Sequence, residues 1–332
     1  MSAYAWPSAA GALMGAAFLG AALGAGPWIA RAKPALWMRA LGWALLLAAA
    51  TLAPWLTHND PAGTRFLLIC GCLFLAMKVL VLAETRLAGR PVPRAGAWLC
   101  FALLWPGMRP WAFAGPPGPP RLGAWRLIVS GSLVTLLGLG LLGVARLRAA
   151  HGASEAEVLF VALLGIGVTL AFGLFRALAG FWRLRGRPVM PLFDAPARSR
   201  SLGEFWARRW NLAFSEMLQV AVRRPFKRAL GPGASLAICF GISGLLHELA
   251  LSVPARGGLG LPLLYFALHG LLVGVERSIA WGTGRGGELA RRVWTLGWVL
   301  LPVLLVFHPP ALRALVLPLV SEAGAQAPAG QR

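Results

Sequence analysis

The sequence predicts an all-α, polytopic integral membrane protein of about eight transmembrane helices, with a re-entrant or interfacial segment and a cytoplasmic amphipathic helix added. Three observations lead there. Of 332 residues, 58% are hydrophobic and only 13% are charged, whereas a soluble globular chain carries about 25% charged residues. Mean hydropathy is +0.68, and the apolar residues gather into runs of roughly 20, the length that crosses a bilayer core as a helix. Aromatic usage agrees, with 15 Trp and 16 Phe against 2 Tyr, because indoles anchor helices at the membrane interface.

Eight runs meet the length requirement: 8–30, 37–56, 64–83, 122–145, 156–180, 233–253, 261–280 and 291–310. The N-terminus has no basic stretch ahead of its first run, so a cleaved signal peptide is not expected. Placing the loops 31–39, 84–121, 183–232 and 282–292 on one side gathers 22 Lys and Arg there. The opposite side, with both tails and Arg65, holds 6, and Lys78, Arg126, Arg176 and Arg277 lie in or beside spans. The positive-inside tendency then puts the basic loops in the cytoplasm and both termini outside. It also accounts for the net charge of +21, which in a soluble chain would point to nucleic acid; no nucleic-acid partner is expected here. Lys33, Lys78 and Lys227 are the only lysines. That bias, with abundant Ala, Gly and Pro, suggests a GC-rich genome and therefore a bacterial inner (cytoplasmic) membrane. Cys70, Cys72, Cys100 and Cys239 sit in apolar surroundings, and the Cys70-x-Cys72 pair has no nearby His or acidic group, so they are expected as small core residues and not as metal ligands.

Three parts follow in order. Residues 1–94 hold the first three helices and carry no motif, 95–310 is expected as the functional core, and 311–332 is a tail whose apolar start (311–320) continues the last helix or forms a short surface helix. Within the core, residues 97–114 are apolar but broken by Pro106 and Pro110, which suits a re-entrant or interfacial segment better than a span. The GPPGPP stretch at 115–120 is a stiff connector.

Two places hold polar groups at a cost that composition does not require. In the sixth run His247 and Glu248 are adjacent. His247 lies about 14 residues past Gly233, roughly 20 Å from the cytoplasmic side at the helical rise. Ionisable groups at such depth usually face a protein interior or a water-filled cavity. Ser243, four residues earlier, shares the face of His247, and Gly241 and Gly244 permit another helix to come close. A histidine that only bonds a neighbouring helix is the plain alternative. A zinc site of the HExxH kind is excluded by Leu251. The second place is 198–218, expected as one amphipathic helix at the cytoplasmic interface. Trp206, Trp210, Ala213, Met217 and Val220 would form its apolar stripe, and Arg208, Asn211 and Ser215 another face. Simple membrane anchoring is the alternative there. In the seventh run His269 and Glu276 share a face, while Glu276, Arg277 and Lys78 are expected to snorkel toward the headgroups.

Together these segments resemble a known family. S-L-x-x-F-W-x-R-R-W-N-L at 201–212, followed by S-G-L-L-H-E-L at 243–249, resembles the wax synthase-like branch of the membrane-bound O-acyltransferases. W-P-G-M at 105–108 and L-H-G at 268–270 fit the same branch, so the resemblance covers roughly residues 95–280. It implies transfer of a fatty acyl group from acyl-CoA, a co-substrate and not a tightly bound cofactor, to the hydroxyl of a lipidic alcohol. It also implies that His247 and Asn211 are the catalytic pair. Some relatives carry His where this chain has Asn211, and Ala207 stands where Gly is usual. Trp206, Trp210, Ser243, His269, Arg208 and Arg209 are the expected substrate contacts, with Arg223 and Arg224 also on the side where CoA phosphates would dock.

Elementary chemistry is compatible with that assignment. A thioester is already electrophilic, so the protein must mainly take a proton from the alcohol and stabilise the developing oxyanion. An imidazole suits the first task. An amide donor such as that of Asn211 suits the second, worth on the order of 3 kcal/mol. No Cys or Ser has a base at recognisable spacing, so no acyl-enzyme is expected. A fatty alcohol, sterol-like lipid or diacylglycerol is the leading acceptor. A glycan or secondary-metabolite hydroxyl is the alternative, and a non-catalytic lipid transporter or scaffold is the rival from another class.

Overall fold

Apolar runs without water to bond their backbone close on themselves as helices, and every regular element among the described residues is helical. The computed structural model describes residues 2–321, so the tail expected over 311–332 lies outside the described residues beyond 321. In chain order the elements are α1 (Ala9–Arg31), α2 (Trp37–Leu56), α3 (Ala62–Leu87), the short α4 (Ala95–Leu104), α5 (Ala124–Ala150) and α6 (Glu155–Leu184). There follow the single turn α7 (Leu202–Glu204), the long α8 (Leu212–Ala255), then α9 (Leu261–Val275), α10 (Gly284–Val306) and α11 (Pro309–Val320). Seven of these are long and apolar enough to cross a membrane, against the eight expected. The shortfall is α9. It has 15 residues where 261–280 was expected to span, which at 1.5 Å per residue is about 22 Å against a hydrocarbon core of about 30 Å.

α9 ends early for a definite reason. Glu276 does not snorkel: it is 8% exposed and turns inward to accept the backbone amides of Leu202 (2.7 Å) and Gly203 (2.9 Å). Lys78 does not snorkel either. It is fully buried on α3, and its Nζ donates to the carbonyls of Trp105 and Gly107, both at 2.6 Å, while standing 3.8 Å from the centre of the Phe101 ring. The W-P-G-M turn leaves those carbonyls without helical partners, because the residue before Pro106 is driven to extended backbone. Arg109, just past the turn, pairs with Glu216 on α8 at 2.5 Å. The broken segment expected from Pro106 and Pro110 is therefore a helix, a turn and a 3-10 turn (Pro110–Phe113) held against α3 and α8. Replacing Lys78 with Met is expected to lower thermal stability by on the order of 3 kcal/mol, since two buried carbonyls lose their donor; thermal unfolding in detergent measures this.

The stretch 198–218 is not one amphipathic helix. α7 passes into a π-turn at Phe205–Arg209, Trp210 is extended, and Asn211 takes the left-handed conformation (φ 42°, ψ 61°) before α8 begins. The expected stripe through Trp206, Trp210 and Met217 is cut between Trp210 and Ala213, and so is the face shared by Arg208 and Asn211. Asn tolerates left-handed backbone better than most residues, and its Oδ1 accepts the amide of Phe214, capping the new helix. α8 itself breaks at Gly231 (φ 83°), ahead of Pro232. It resumes as the segment expected over 233–253, carrying His247.

Candidate active site

A cavity of about 610 Å³ opens between the Asn211 turn and helices α8, α9 and α10. Its walls are largely apolar: Trp206 and Trp210 before the turn, Phe214, Leu218 and Phe240 from α8, Tyr265 and Phe266 from α9, and Leu296, Val299 and Val303 from α10. The polar lining is sparse. It comprises Asn211, Ser215, Gln219, Arg223, Ser243 and His247, with Arg223 the sole Lys or Arg among the lining residues. A predominantly apolar pocket with a few convergent polar groups is the usual form of a small-molecule site.

His247 and Asn211, far apart in the chain, line this one cavity. The Nδ1 of His247 lies 2.7 Å from the carbonyl oxygen of Ser243. A carbonyl only accepts, so Nδ1 carries a proton, and in the neutral form of the ring the lone pair is then on Nε2. Nε2 has no hydrogen-bond partner among the described residues. Phe266 (ring centres 4.5 Å apart) and Phe214 (6.1 Å) hold the imidazole plane. At Asn211 the Oδ1 is engaged by the Phe214 amide, which leaves the amide NH₂ as the group offered to the cavity. The result is a proton acceptor and a hydrogen-bond donor on the wall of one apolar chamber.

The other expected contacts divide. Trp206, Trp210 and Ser243 line the cavity. Arg208 is exposed and does not. Arg209 does not either: its Nε pairs with Glu204 at 2.6 Å and its Nη1 donates to the Asp194 carbonyl at 3.1 Å. Burial works against the Glu204 carboxylate, but the amide of Arg200 and the Arg209 guanidinium outweigh it and hold the group below its ordinary pKa. Arg209 thus braces the strand of chain leading to Asn211, together with the Asp194 amide on the Arg209 carbonyl and the Leu212 amide on the Leu192 carbonyl, both at 2.9 Å. His269 is fully buried behind the wall, its ring 5.4 Å from Trp206 and 4.1 Å from Tyr265. It supports the aromatic wall and does not line the chamber.

A polar row runs along the cavity wall. Asn211, Ser215, Gln219 and Arg223 recur every fourth residue. In a regular α-helix that row would drift around the axis, but a π-turn at Gln219–Arg223 widens the last turn and returns Arg223 to the cavity face. Arg223 Nη1 donates to Gln219 Oε1 at 3.2 Å. Ser215 is already engaged, its Oγ donating to the Trp206 carbonyl at 2.6 Å. Glu248 is structural: its Oε1 accepts the amides of Gly260 (2.8 Å) and Leu263 (3.1 Å) at the start of α9. A Ser–His pair that no spacing announces joins Ser252 and His308 at 3.1 Å. Because His308 Nδ1 accepts from the Ala311 amide, its Nε2–H must donate to Ser252 Oγ. That is the reverse of what activates a serine nucleophile, and neither residue lines the cavity.

Comparison with known proteins points to the same segment. Residues 189–268 match the model of the membrane bound O-acyl transferase family. The chain is similar to a long-chain-alcohol O-fatty-acyltransferase of Simmondsia chinensis, 29% identical over 162 residues that cover 45% of each chain. It is similar to probable long-chain-alcohol O-fatty-acyltransferase 1 of Arabidopsis thaliana, 35% identical over 105 residues (29% of this chain, 31% of the relative). It is also similar to acyl-CoA–sterol O-acyltransferase 1 of Arabidopsis thaliana, 32% identical over 130 residues (36% and 38%). The chain thus spans less than half the length of each of these curated relatives. The matched segment 189–268 contains both Asn211 and His247, and over it the chain is similar to the membrane bound O-acyl transferase family.

Proposed function

We propose that this protein is an acyl-CoA:alcohol O-acyltransferase that esterifies a lipidic alcohol inside the membrane, with residues 95–310 as its catalytic core. The observation that carries the reading is the meeting of an unpartnered His247 Nε2 and the Asn211 amide on one apolar cavity. In the proposed reaction the alcohol hydroxyl gives its proton to His247 Nε2 as its oxygen attacks the thioester carbonyl. The Asn211 amide donates to the carbonyl oxygen as it becomes an oxyanion. Collapse expels the CoA sulfur, which takes the proton back from His247. One ester and one CoA thiol form, and no acyl-enzyme intervenes. The apolar walls accept the acyl chain and the alcohol, and they exclude the water that would otherwise hydrolyse the thioester.

Of the four arginines expected near the CoA phosphates, Arg223 is the one assigned to them here, because it is on the cavity wall. Arg223→Ala is expected to raise the KM for acyl-CoA about tenfold with little change in kcat, the loss of one charge-assisted contact. The same substitution at Arg208, which is exposed away from the cavity, serves as the comparison. On this reading the basic loops face the cytoplasm, where acyl-CoA is available, on the strength of the asymmetry of 22 to 6, and the membrane is a bacterial inner one on the strength of the Arg, Ala, Gly and Pro bias.

The reading is tested by supplying labelled palmitoyl-CoA and a panel of fatty alcohols, a sterol and diacylglycerol to membranes containing the protein. Label appearing in an ester identifies the acceptor class. A folded protein that esterifies no panel member overturns the lipidic-alcohol assignment and leaves two readings, an acceptor hydroxyl on a glycan or secondary metabolite and a non-catalytic transporter or scaffold.

A further inference from the structure

Two buried carboxylates stand outside the cavity, one at each end of α9. Glu248, next to His247 and 8% exposed, receives the amides of Gly260 and Leu263 at the helix start. Glu276, directly after the helix and equally buried, receives the amides of Leu202 and Gly203, one on each oxygen. α9 is also pressed onto α8 without slack. A Cβ on Gly244 would lie 2.8 Å from the Leu263 Cα, and one on Gly270 would lie 3.2 Å from the Phe240 side chain. The helix therefore cannot slide along the segment that carries His247.

The Asn211 side is different. Its left-handed backbone is uncommon for a residue with a side chain and persists only where its surroundings over-determine it. The chain from Leu202 to Asn211 is bonded along its own length, with the Phe205 carbonyl accepting from the Trp210 amide at 2.9 Å. Among the described residues, the side-chain hydrogen bonds that join that segment to the end of α9 are those of Glu276. A carboxylate at the start of α7 is more than an ordinary cap, because it comes from another element 74 residues away and closes both orphan amides at once.

We propose that Glu276 is a positioning residue. By tying the first turn of α7 to a helix locked on the His247 segment, it fixes the placement of the Asn211 amide relative to His247 Nε2. This rests on the acyl-transfer reading above. A shift of about 1 Å in such a pair is enough to cost on the order of 100-fold in rate.

The test uses the full chain in nanodiscs as wild type, Glu276→Ala, Glu276→Gln, Asn211→Ala and the Glu276→Ala/Asn211→Ala double variant. Glu276→Ala is expected to lower kcat by about 10- to 100-fold while the KM for acyl-CoA stays within about threefold. Glu276→Gln, which keeps one accepting oxygen, regains part of the loss. In the Asn211→Ala background, removing Glu276 is expected to cost less than about twofold, because the residue it acts through is gone. Amide exchange of the peptide around Leu202 and Gly203 should quicken in Glu276→Ala while the peptide around His247 stays protected. A folded Glu276→Ala with wild-type kcat, a loss confined to KM, or full additivity with Asn211→Ala overturns the proposal. If Glu276→Ala fails to fold, Glu276→Gln carries the same kcat, cycle and exchange comparisons. If wild type itself forms no ester, the acyl-transfer reading fails. The exchange arm then still decides whether the Glu276 clamp exists: unchanged exchange refutes it.

Discussion

His247→Ala is expected to abolish ester formation in membranes that hold the variant at the wild-type level. The loss should be about 10²- to 10⁴-fold, the usual contribution of a positioned general base. Its Nδ1 is committed to the Ser243 carbonyl, so the ring cannot exchange roles between its nitrogens, and no second imidazole is among the described residues that line the cavity. His269 will not substitute, since it is buried behind Trp206. The fold should survive the change. His247 is partly buried, and the Ser243 carbonyl already accepts within its helix. The check is labelled-ester yield beside a size-exclusion profile. Undiminished ester from His247→Ala would remove the base from the mechanism.

The second large effect separates chemistry from folding at Asn211. Asn211→Asp keeps a residue that tolerates left-handed backbone and keeps an oxygen to cap the Phe214 amide. It replaces the amide donor by an acceptor facing the developing oxyanion. The expected outcome is a protein as thermally stable as wild type with kcat lower by at least about 10²- to 10³-fold, the cost of one oxyanion donor. Asn211→Ala should lose a similar rate and also stability of about 1 kcal/mol or more, because the cap is gone and an alanine must hold φ 42°. Activity retained in Asn211→Asp would show that this side chain acts only as a cap. Thermal unfolding and kcat measured on the same preparations decide it.

Much of this was readable without coordinates. Charge scarcity and runs of about 20 apolar residues demand helices in a bilayer, and the first three helices fall within a few residues of the runs, as at 37–56 and Trp37–Leu56, whereas the helix carrying His247 begins at Leu212 and not near 233. His247 declared itself because an ionisable group in such a run is expensive. Trp206, Trp210, Asn211 and Ser243 were singled out and do line the cavity with it. The reading went astray where a side chain's partner comes from a distant element. Lys78 and Glu276 looked like snorkelling residues by position alone, yet each closes backbone groups from a segment that sequence distance conceals. Arg209 and His269 looked like ligand contacts by type alone.

The class of protein, the order of its helices and the cost of an ionisable His247 in an apolar run are all legible in the chain alone. Those follow from transfer energies and periodicity, which are local properties. Tertiary structure decided which cation faces the cavity, where α9 stops and why Asn211 breaks the helix expected across it. Those depend on which buried donor meets which acceptor. In a medium without water each such group must find a partner in the protein, and the partner is chosen by packing between segments that the local pattern does not connect.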